Sequence, residues 1–287
     1  MGGYPFLKGH GTENDFVLLP DHDGAVHGAL DDARVVALCD RRAGIGGDGV
    51  LRVIRTRSMA RIDPALEGRV GSAEWFMDYR NADGSIAEMC GNGVRVFVRH
   101  LIDEGLVPAG APVPVATRAG IKTVSVASGT DELVADLGRP LLLDSSTVTV
   151  GNASWKARHV DLGNPHAVAF LDDADDLGPH GPVGPLLDEP GYDHDLYPHG
   201  VNIEFVRRLG PAHVAMRVHE RGSGETRSCG TGACAVMVAT ADADGASRNT
   251  AYAVDVPGGR LTITWTADDR VLLQGPAVIV ATGTTSL

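Results

Sequence analysis

One short motif occurs twice in the sequence, and this repeat constrains the fold more than any other feature. Cys90-Gly-Asn-Gly and Cys229-Gly-Thr-Gly each open an apolar run that is typical of a helix, and almost half the chain separates them. Both cysteines are therefore predicted at a helix N-terminus, where a thiol should ionise most easily. Two similar halves, each carrying one such cysteine, are the simplest arrangement that explains the repeat.

Alignment of the two motifs also brings other residues of the two halves into correspondence. Three pairs of residues then correspond, and these are Asn14 with Asn164, Gly49 with Asn202, and Asn81 with Glu220. The middle pair requires residues 57–72 to be treated as an insertion. The alignment indicates an internal duplication with one cysteine on each side of a cleft.

The chain length of 287 residues and the hydrophobic content of 43% suit two domains of ordinary size. Residues 1–130 are predicted to form the N-terminal half, with 276–287 returning to it, and residues 131–275 the C-terminal half. Strands alternate with few helices, and the run after Cys229 is apolar nearly all round, as in a helix wrapped by sheet. The predicted fold is α/β (α+β), with each half a β-sheet or barrel around a central helix.

Charge and termini restrict the partners. Lys+Arg number 25 against 37 Asp+Glu, so the net charge of −12 disfavours nucleic acid and anionic membranes. The first eight residues do not resemble a signal peptide, and no apolar run could span a bilayer. We therefore expect a soluble, cytoplasmic protein that acts on a small molecule.

Paired thiols indicate proton transfer. A helix N-terminus favours a thiolate by roughly 0.3–1 kcal/mol, or about 2 kcal/mol when partly buried, which is at most about 1.5 pKa units. Two facing thiolates would repel, so we expect one thiolate and one thiol at rest. Such a pair can take a proton from one face of a carbon and return one to the other face. Backbone amides at Gly91-Asn92 and Gly230-Thr231 can hold the substrate carboxylate.

Six motifs together resemble the diaminopimelate epimerase family. In chain order they are Gly-Thr-Glu-Asn14-Asp-Phe, Cys90-Gly-Asn-Gly-Val-Arg, Gly-Asn164-Pro-His166, Val-Asn202-Ile-Glu-Phe, Glu220-Arg221-Gly-Ser-Gly-Glu-Thr and Ser-Cys229-Gly-Thr-Gly-Ala-Cys-Ala. They cover nearly the whole chain in the order of the family.

This resemblance implies an isomerase that converts L,L-diaminopimelate to meso-diaminopimelate for lysine and peptidoglycan synthesis, with no cofactor and no metal. It also implies a homodimer and an active site in the cleft between the halves. Cys90 and Cys229 match the catalytic pair, and His166 and Glu220 match residues that tune the thiols. The implied substrate contacts are Asn14, Asn81, Gly91, Asn92, Asn164, Asn202, Glu220, Arg221, Gly230 and Thr231.

Two features depart from the family pattern. Many members carry glutamine where this chain has Gly49, so a side-chain contact is missing or replaced there. The polar stretch Arg57–Ser72 contains Pro64 and shows no periodicity, so it is predicted to be an inserted surface loop.

Structural explanations compete at several positions. Asp31 is expected to cap a helix reaching Arg42 that buries Val35, Val36, Leu38 and Cys39, so Cys39, like Cys234, is predicted to be structural.

His166 could be a core histidine, Glu220 a solvated carboxylate and Arg221 a surface residue. Gly44–Gly49 matches a nucleotide-binding glycine pattern, but the strand follows it where a helix should, so a tight turn is expected. A loop carries metal-binding residue types at irregular spacing, and these are expected to be solvated: His180, Asp188, Asp193, His194, Asp195 and His199.

Other functions fit less well. A related cysteine-pair racemase remains an alternative, although Asn164, Asn202 and Arg221 favour a long dicarboxylic substrate. A pyridoxal-phosphate enzyme needs a lysine, and the three lysines, Lys8, Lys122 and Lys156, lack a phosphate-binding context. A disulfide redox protein would favour Cys-x-x-Cys, which is absent from the sequence. A binding module would not need a thiol in each half.

Overall fold

The computed structural model describes residues 2–172 and 175–287, so Met1 and residues 173–174 lie outside the described residues. The chain forms two compact units. Unit 1 contains the residues up to Ala135 together with Pro276–Leu287, and unit 2 contains Asp136–Gly275. The sequence-based division after residue 130 lies five residues before this boundary.

Unit 1 is built from strands with helices packed on them. Its elements are β1 (Tyr4–Gly11), β2 (Asn14–Pro20), α1 (Asp32–Cys39), β3 (Gly49–Arg55), α2 (Thr56–Ile62), a 3-10 helix (Pro64–Arg69), β4 (Trp75–Asn81), α3 (Gly91–Asp103), β5 (Val113–Thr117), β6 (Gly120–Val126) and β17 (Val278–Thr285). Strand β7 (Leu133–Gly138) spans the boundary. Strand β17 pairs antiparallel with β1, so residues 276–287 return to the N-terminal unit as predicted.

Unit 2 has more strand and a single helix in its described part. Its elements are β8 (Leu141–Val150), β9 (Ala153–Asp161), β10 (Pro165–Phe170), β11 (Asn202–Gly210), β12 (His213–Glu220), β13 (Gly224–Thr226), α4 (Gly230–Asp244), β14 (Ala251–Val256), β15 (Gly259–Trp265) and β16 (Val271–Gly275). The predicted α+β class is confirmed. No helix in the described part of the chain is long and apolar enough to cross a membrane.

Helices α3 and α4 are the central helices of their units. Helix α3 packs on β1, β2, β6 and β17, and helix α4 on β9, β10, β11, β14 and β15. Every residue of α4 from Gly230 to Ala241 is buried, as its uniformly apolar sequence predicts. Gly245 ends α4 with a φ of 59°, a left-handed conformation that glycine adopts without steric cost.

Two local predictions are wrong. Asp31 caps α1 as predicted, with its side chain accepting from the Ala33 amide, but Val36 is 46% exposed, because α1 buries only a narrow face. Residues 57–72 are not an irregular loop, since α2 and the 3-10 helix occupy most of them. Met59 and Leu66 pack with Ile54 and Phe76, so tertiary contacts stabilise helical turns that the polar sequence does not reveal.

Both units use the same strand register next to their central helix. In unit 1, Phe16 of β2 pairs with Gly49 of the parallel strand β3, and Gly49 pairs with Asn81 of the antiparallel strand β4. In unit 2, His166 of β10 pairs with Asn202 of the parallel strand β11, and β12 runs antiparallel to β11 so that Glu220 falls at its end. This agreement supports the duplication inferred from the sequence.

A buried ion network holds the core of unit 1. The Arg52 side chain is 0% exposed and donates to Asp21 Oδ2 from NH2 at 2.6 Å. Asp78 is equally buried and accepts from Arg118 at 2.7 Å and from Arg80 at 3.2 Å. Each charge is therefore compensated, and loss of one partner leaves a buried ion without its counter-charge.

Replacement of Arg52 by methionine should destabilise the protein by about 3–5 kcal/mol, because Asp21 would remain buried and unpaired. Urea unfolding followed by circular dichroism measures this loss. Asp23→Asn is the control, since Asp23 pairs with Arg55 at the surface and its side chain is 71% exposed. It should change stability by no more than about 1 kcal/mol, and equal losses for the two variants would contradict the assignment.

Candidate active site

Each cysteine of the repeated motif caps the central helix of its unit. Cys90 is the N-cap of α3, where its sulfur accepts from the Gly93 amide at 3.4 Å. Cys229 is the N-cap of α4, and its sulfur accepts from the Gly232 amide at the same distance. The predicted helix-start position of both thiols is confirmed. The first amides of a helix have no intrahelical acceptor, so each cysteine lies beside a potential anion site.

In unit 1, polar side chains form an ordered chain next to Cys90. The Arg95 guanidinium donates to Asn92 Oδ1 at 2.6 Å, and Asn92 Nδ2 donates to Asn14 Oδ1 at 3.3 Å. Asn14 Nδ2 donates in turn to Asp48 Oδ2 at 2.7 Å. The carboxamide oxygen of Asn14 therefore faces the Cys90 sulfur, 3.6 Å away, as an acceptor.

Asp48 was not predicted as a site residue, although it orients one. It also accepts from the Asp15 amide at 3.2 Å and from Arg41 at 2.6 Å, so the turn before β3 is tied to the start of β2. Burial raises the pKa of Asp48, while the bond from Asn14 opposes this shift. The predicted turn Gly44–Gly49 therefore positions the Asp48 carboxylate next to Asn14.

The remaining unit 1 positions lie at the same strand ends. Gly91 and Asn92 are the first residues of α3 and are buried. Asn81 ends β4, and its side-chain Nδ2 donates to Ser85 Oγ at 3.0 Å within the following turn. A side chain at Gly49 has no room, because its Cβ would lie 2.4 Å from the Arg80 carbonyl oxygen. The backbone of β4 therefore excludes a side chain at this position, so the glutamine contact that the resemblance led us to consider cannot form here.

In unit 2, Cys229 lies beside a carboxylate. The Glu220 carboxylate is near enough to raise the pKa of the thiol, and its Oε1 accepts from the Thr226 hydroxyl. Desolvation raises the pKa of Glu220. A carboxylate with a raised pKa next to a thiol can accept the proton that the thiol releases.

The expectation of easy ionisation does not hold for Cys229. Burial raises the pKa of this thiol well above its ordinary range, and the negative charges of Glu220 and Glu204 raise it further. The Gly232 amide and the Thr231 hydroxyl act in the opposite direction. Desolvation of a side chain that is 6% exposed thus outweighs the helix N-terminus.

His166 belongs to a buried polar cluster. Its Nδ1 lies 2.7 Å from Glu204 Oε1, and both side chains are 0% exposed. Its Nε2 lies 3.2 Å from Asn164 Oδ1, and Asn164 Nδ2 lies 3.3 Å from the Thr231 hydroxyl. Glu204 was not predicted, although it follows Asn202 by two residues and so shares its face of β11.

Asn202 and Arg221 form the rim of the unit 2 site. Asn202 Nδ2 donates to the Pro165 carbonyl at 3.1 Å, and its Oδ1 accepts from the Arg221 amide at 3.1 Å. The exposed Arg221 side chain donates to the His199 carbonyl at 3.3 Å. Gly230 and Thr231 are the buried first residues of α4. Asn202 therefore links the strand ends around Cys229.

The other two cysteines lie in the helices α1 and α4, and the histidine-rich loop contacts the unit 2 site through the His199 carbonyl. Cys39 and Cys234 are 5% and 0% exposed, and burial raises the pKa of Cys39 to about 11, consistent with a structural role. The loop residues that carry metal-binding side chains are exposed. Within residues 2–172 and 175–287, no group of three or more histidine, cysteine, aspartate or glutamate side chains could hold a metal ion.

Solved structures define the class of fold. A phenazine biosynthesis protein of the PhzF family from Bacillus anthracis has a TM-score of 0.71 and 14% identity, with full coverage of both chains. A hydroxyproline epimerase from Agrobacterium vitis has a TM-score of 0.67 and 13% identity, covering 99% of this chain and 93% of that one. The chain thus has the fold shared by these two-domain proteins.

Sequence comparison defines the family. A statistical description of the diaminopimelate epimerase family matches residues 6–143 and 158–284. The diaminopimelate epimerase of Streptomyces coelicolor is 55% identical over 290 residues, covering 97% of this chain and 94% of that protein. The enzyme of Thermobifida fusca is 45% identical, covering 97% and 96%. The chain belongs to the diaminopimelate epimerase family.

The tight contact at Gly232 should make this position intolerant of a side chain. A Cβ there would lie 2.7 Å from Glu204 Oε1 and 3.2 Å from the Cys229 sulfur, whereas at Gly93 the nearest atoms are 3.2 Å and 3.3 Å away. We expect Gly232→Ala to lower stability by about 1–3 kcal/mol, because Glu204 is held by His166. Gly93→Ala should cost less, and thermal unfolding of both variants checks the order. The reverse order would contradict the packing described for Glu204.

Proposed function

We propose that this protein interconverts L,L- and meso-diaminopimelate without a cofactor, using Cys90 and Cys229 as its two acid–base groups. The observation that carries the proposal is the repeated arrangement of a cysteine N-cap beside buried amides and three strand ends, in a chain of this family. The product serves lysine and peptidoglycan precursor synthesis in the family.

The chemistry balances with these groups alone. One sulfur, as thiolate, removes the α-proton, so an S–H bond forms and the C–H bond breaks. The electron pair of the C–H bond stays on the α-carbon and is delocalised into the carboxylate. The other sulfur, as thiol, protonates the opposite face and becomes the thiolate. The configuration is inverted, and the enzyme carries the same net charge before and after.

Cys229 is assigned as the thiol of the ligand-free protein. Its burial and the neighbouring carboxylates of Glu220 and Glu204 raise its pKa and so support the protonated form. Loss of this proton to substrate leaves an anion that the Gly232 amide and Thr231 hydroxyl stabilise. Glu220 then provides a nearby site for proton exchange, so the roles of the two thiols can reverse in the opposite direction of reaction.

The negative charge on the substrate is the larger barrier. Amides at Gly91-Asn92 and Gly230-Thr231 are proposed to bind the reacting carboxylate, and one such donor can contribute roughly 2.7–4 kcal/mol in the transition state. Asn14, Asn81, Asn164, Asn202 and Arg221 are the proposed contacts to the rest of the substrate. We also propose that the enzyme works in the cytoplasm as a homodimer, as the family resemblance implies.

Reduced protein without added cofactor should exchange the α-proton of diaminopimelate with deuterated solvent. The physical reason is that every inversion passes through a thiol that equilibrates with solvent. Mass spectrometry measures the incorporated deuterium, and Cys90→Ala and Cys229→Ala should each abolish inversion. Proline and glutamate are the control substrates for a related racemase. Exchange of either in place of diaminopimelate would refute the substrate assignment.

Loss of the carboxylate beside Cys229 should slow turnover strongly. Glu220→Gln keeps the shape of the side chain but cannot accept a proton, so kcat should fall by about 10²–10⁴-fold. Glu225→Gln is the matched control on β13, because Glu225 pairs with Arg217 outside the proposed site. Its kcat should change less than about threefold. Similar values for Glu220→Gln and the native enzyme would remove Glu220 from the mechanism.

A further inference from the structure

A buried pair in unit 2 takes no part in the proton transfers proposed above. Glu204 and His166 are both fully buried, and their facing atoms, Oε1 and Nδ1, lie 2.7 Å apart. The second oxygen of Glu204, Oε2, accepts no hydrogen bond from any described residue. An ionisable pair of this kind is costly to desolvate, so its position next to Cys229 calls for a reason.

The hydrogen bonds leading away from this pair have a definite direction. Asn164 Nδ2 donates to Thr231 Oγ1 at 3.3 Å, so the oxygen of the same carboxamide faces His166 Nε2 at 3.2 Å. Nε2 must therefore carry a hydrogen. The 2.7 Å contact between Nδ1 and Glu204 Oε1 then holds one hydrogen between the imidazole and the carboxyl group.

The chain ends on the sulfur. Because the Thr231 hydroxyl accepts from Asn164, its own hydrogen is available for Cys229, whose sulfur lies 3.6 Å from Oγ1. We propose that Glu204 and His166 anchor a one-way chain of donors, through Asn164 and Thr231, that stabilises the anionic sulfur of Cys229. Glu204 is thus a positioning residue, since it acts through His166 and not on the reacting atoms.

The groups around Cys229 act in opposite directions on an anionic sulfur. The groups that face Cys229 and His166 are Glu220 at the end of β12, Glu204 on β11 and His159 on β9. The two carboxylates oppose an anionic sulfur, whereas the Thr231 hydroxyl and the Gly232 amide favour it. The absence of a side chain at Gly232 lets Glu204 approach the first turn of α4, since a Cβ would lie 2.7 Å from its Oε1.

The last link of the chain can be tested without measuring epimerisation. Reduced full-length protein is alkylated with iodoacetamide from pH 6 to 11, and peptide mass spectrometry gives the rate at Cys229, with Cys90 as the internal reference. Thr231→Val should raise the midpoint of the Cys229 profile by about one pH unit, because a donor to the anion is lost. Thr231→Ser should restore it.

Thr240→Val is the matched control, since Thr240 is a buried threonine of the same helix that donates to the Val236 carbonyl. Its Cys229 profile should coincide with that of the native protein. A native profile for Thr231→Val as well would overturn the proposal.

The origin of the chain is tested by His166→Phe, which removes the Nε2 donor to Asn164. The Cys229 midpoint should again rise, and an unchanged or lowered midpoint overturns the proposal. Should His166→Phe fail to fold, His166→Leu removes the same donor and carries the same expectation. The double variant His166→Phe/Thr231→Val should shift no further than Thr231→Val alone.

This inference rests on the proposed function for its purpose but not for its test. In the epimerase assay, His166→Phe should lower kcat about tenfold or more and leave KM within about threefold. If the native protein exchanged no α-proton, the proposed reaction would fail while the alkylation profiles still decided on the chain. If the native protein were active and the alkylation profiles did not shift, the chain alone would be refuted.

Discussion

The approach of a helix to the ends of three strands governs both cysteine sites. In each unit the first turn of the central helix lies so close to neighbouring side chains that a Cβ at Gly93 or Gly232 would contact the cysteine itself at 3.2–3.3 Å. The cysteine N-cap of each helix therefore lies in contact with polar side chains, which are Asn14 beside Cys90 and Thr231 beside Cys229. The glycines therefore serve the chemistry by bringing backbone amides to the sulfur, a distance that larger residues would not permit.

Much of the fold could be predicted because its signals are local. The apolar run after Cys229 marks a buried helix, Asp31 marks a helix start, and the spacing of Asn81 and Glu220 before their cysteines is matched by a shared strand register. The helix within residues 57–72 could not be predicted, because it depends on Met59 and Leu66 packing against distant strands. The exposed Val36 failed for a related reason, since only tertiary packing decides how wide the buried face of α1 is.

The site was predictable where a motif names its residues and not where the residues act through others. Glu204 carried a usable signal, since it stands two residues after Asn202 in an apolar strand and a carboxylate there must face a polar partner. Asp48 had no such signal, because its partner Asn14 is 34 residues away in sequence. The direction of the pKa shift at Cys229 was also beyond the sequence, since burial and two distant carboxylates outweigh the helix N-terminus.

The exchange of Asn81 for Glu220 has a consequence for the history of the chain. These residues close the same register in the two units, and glutamate differs from asparagine by its charge and one methylene group, so the exchange alters the chemistry while the strand pairing is kept. Two copies of one ancestral segment could thus become chemically unequal by a few substitutions while keeping one architecture. A duplicated gene gains in this way two cysteine sites with different neighbouring charges, and it does so without any new fold.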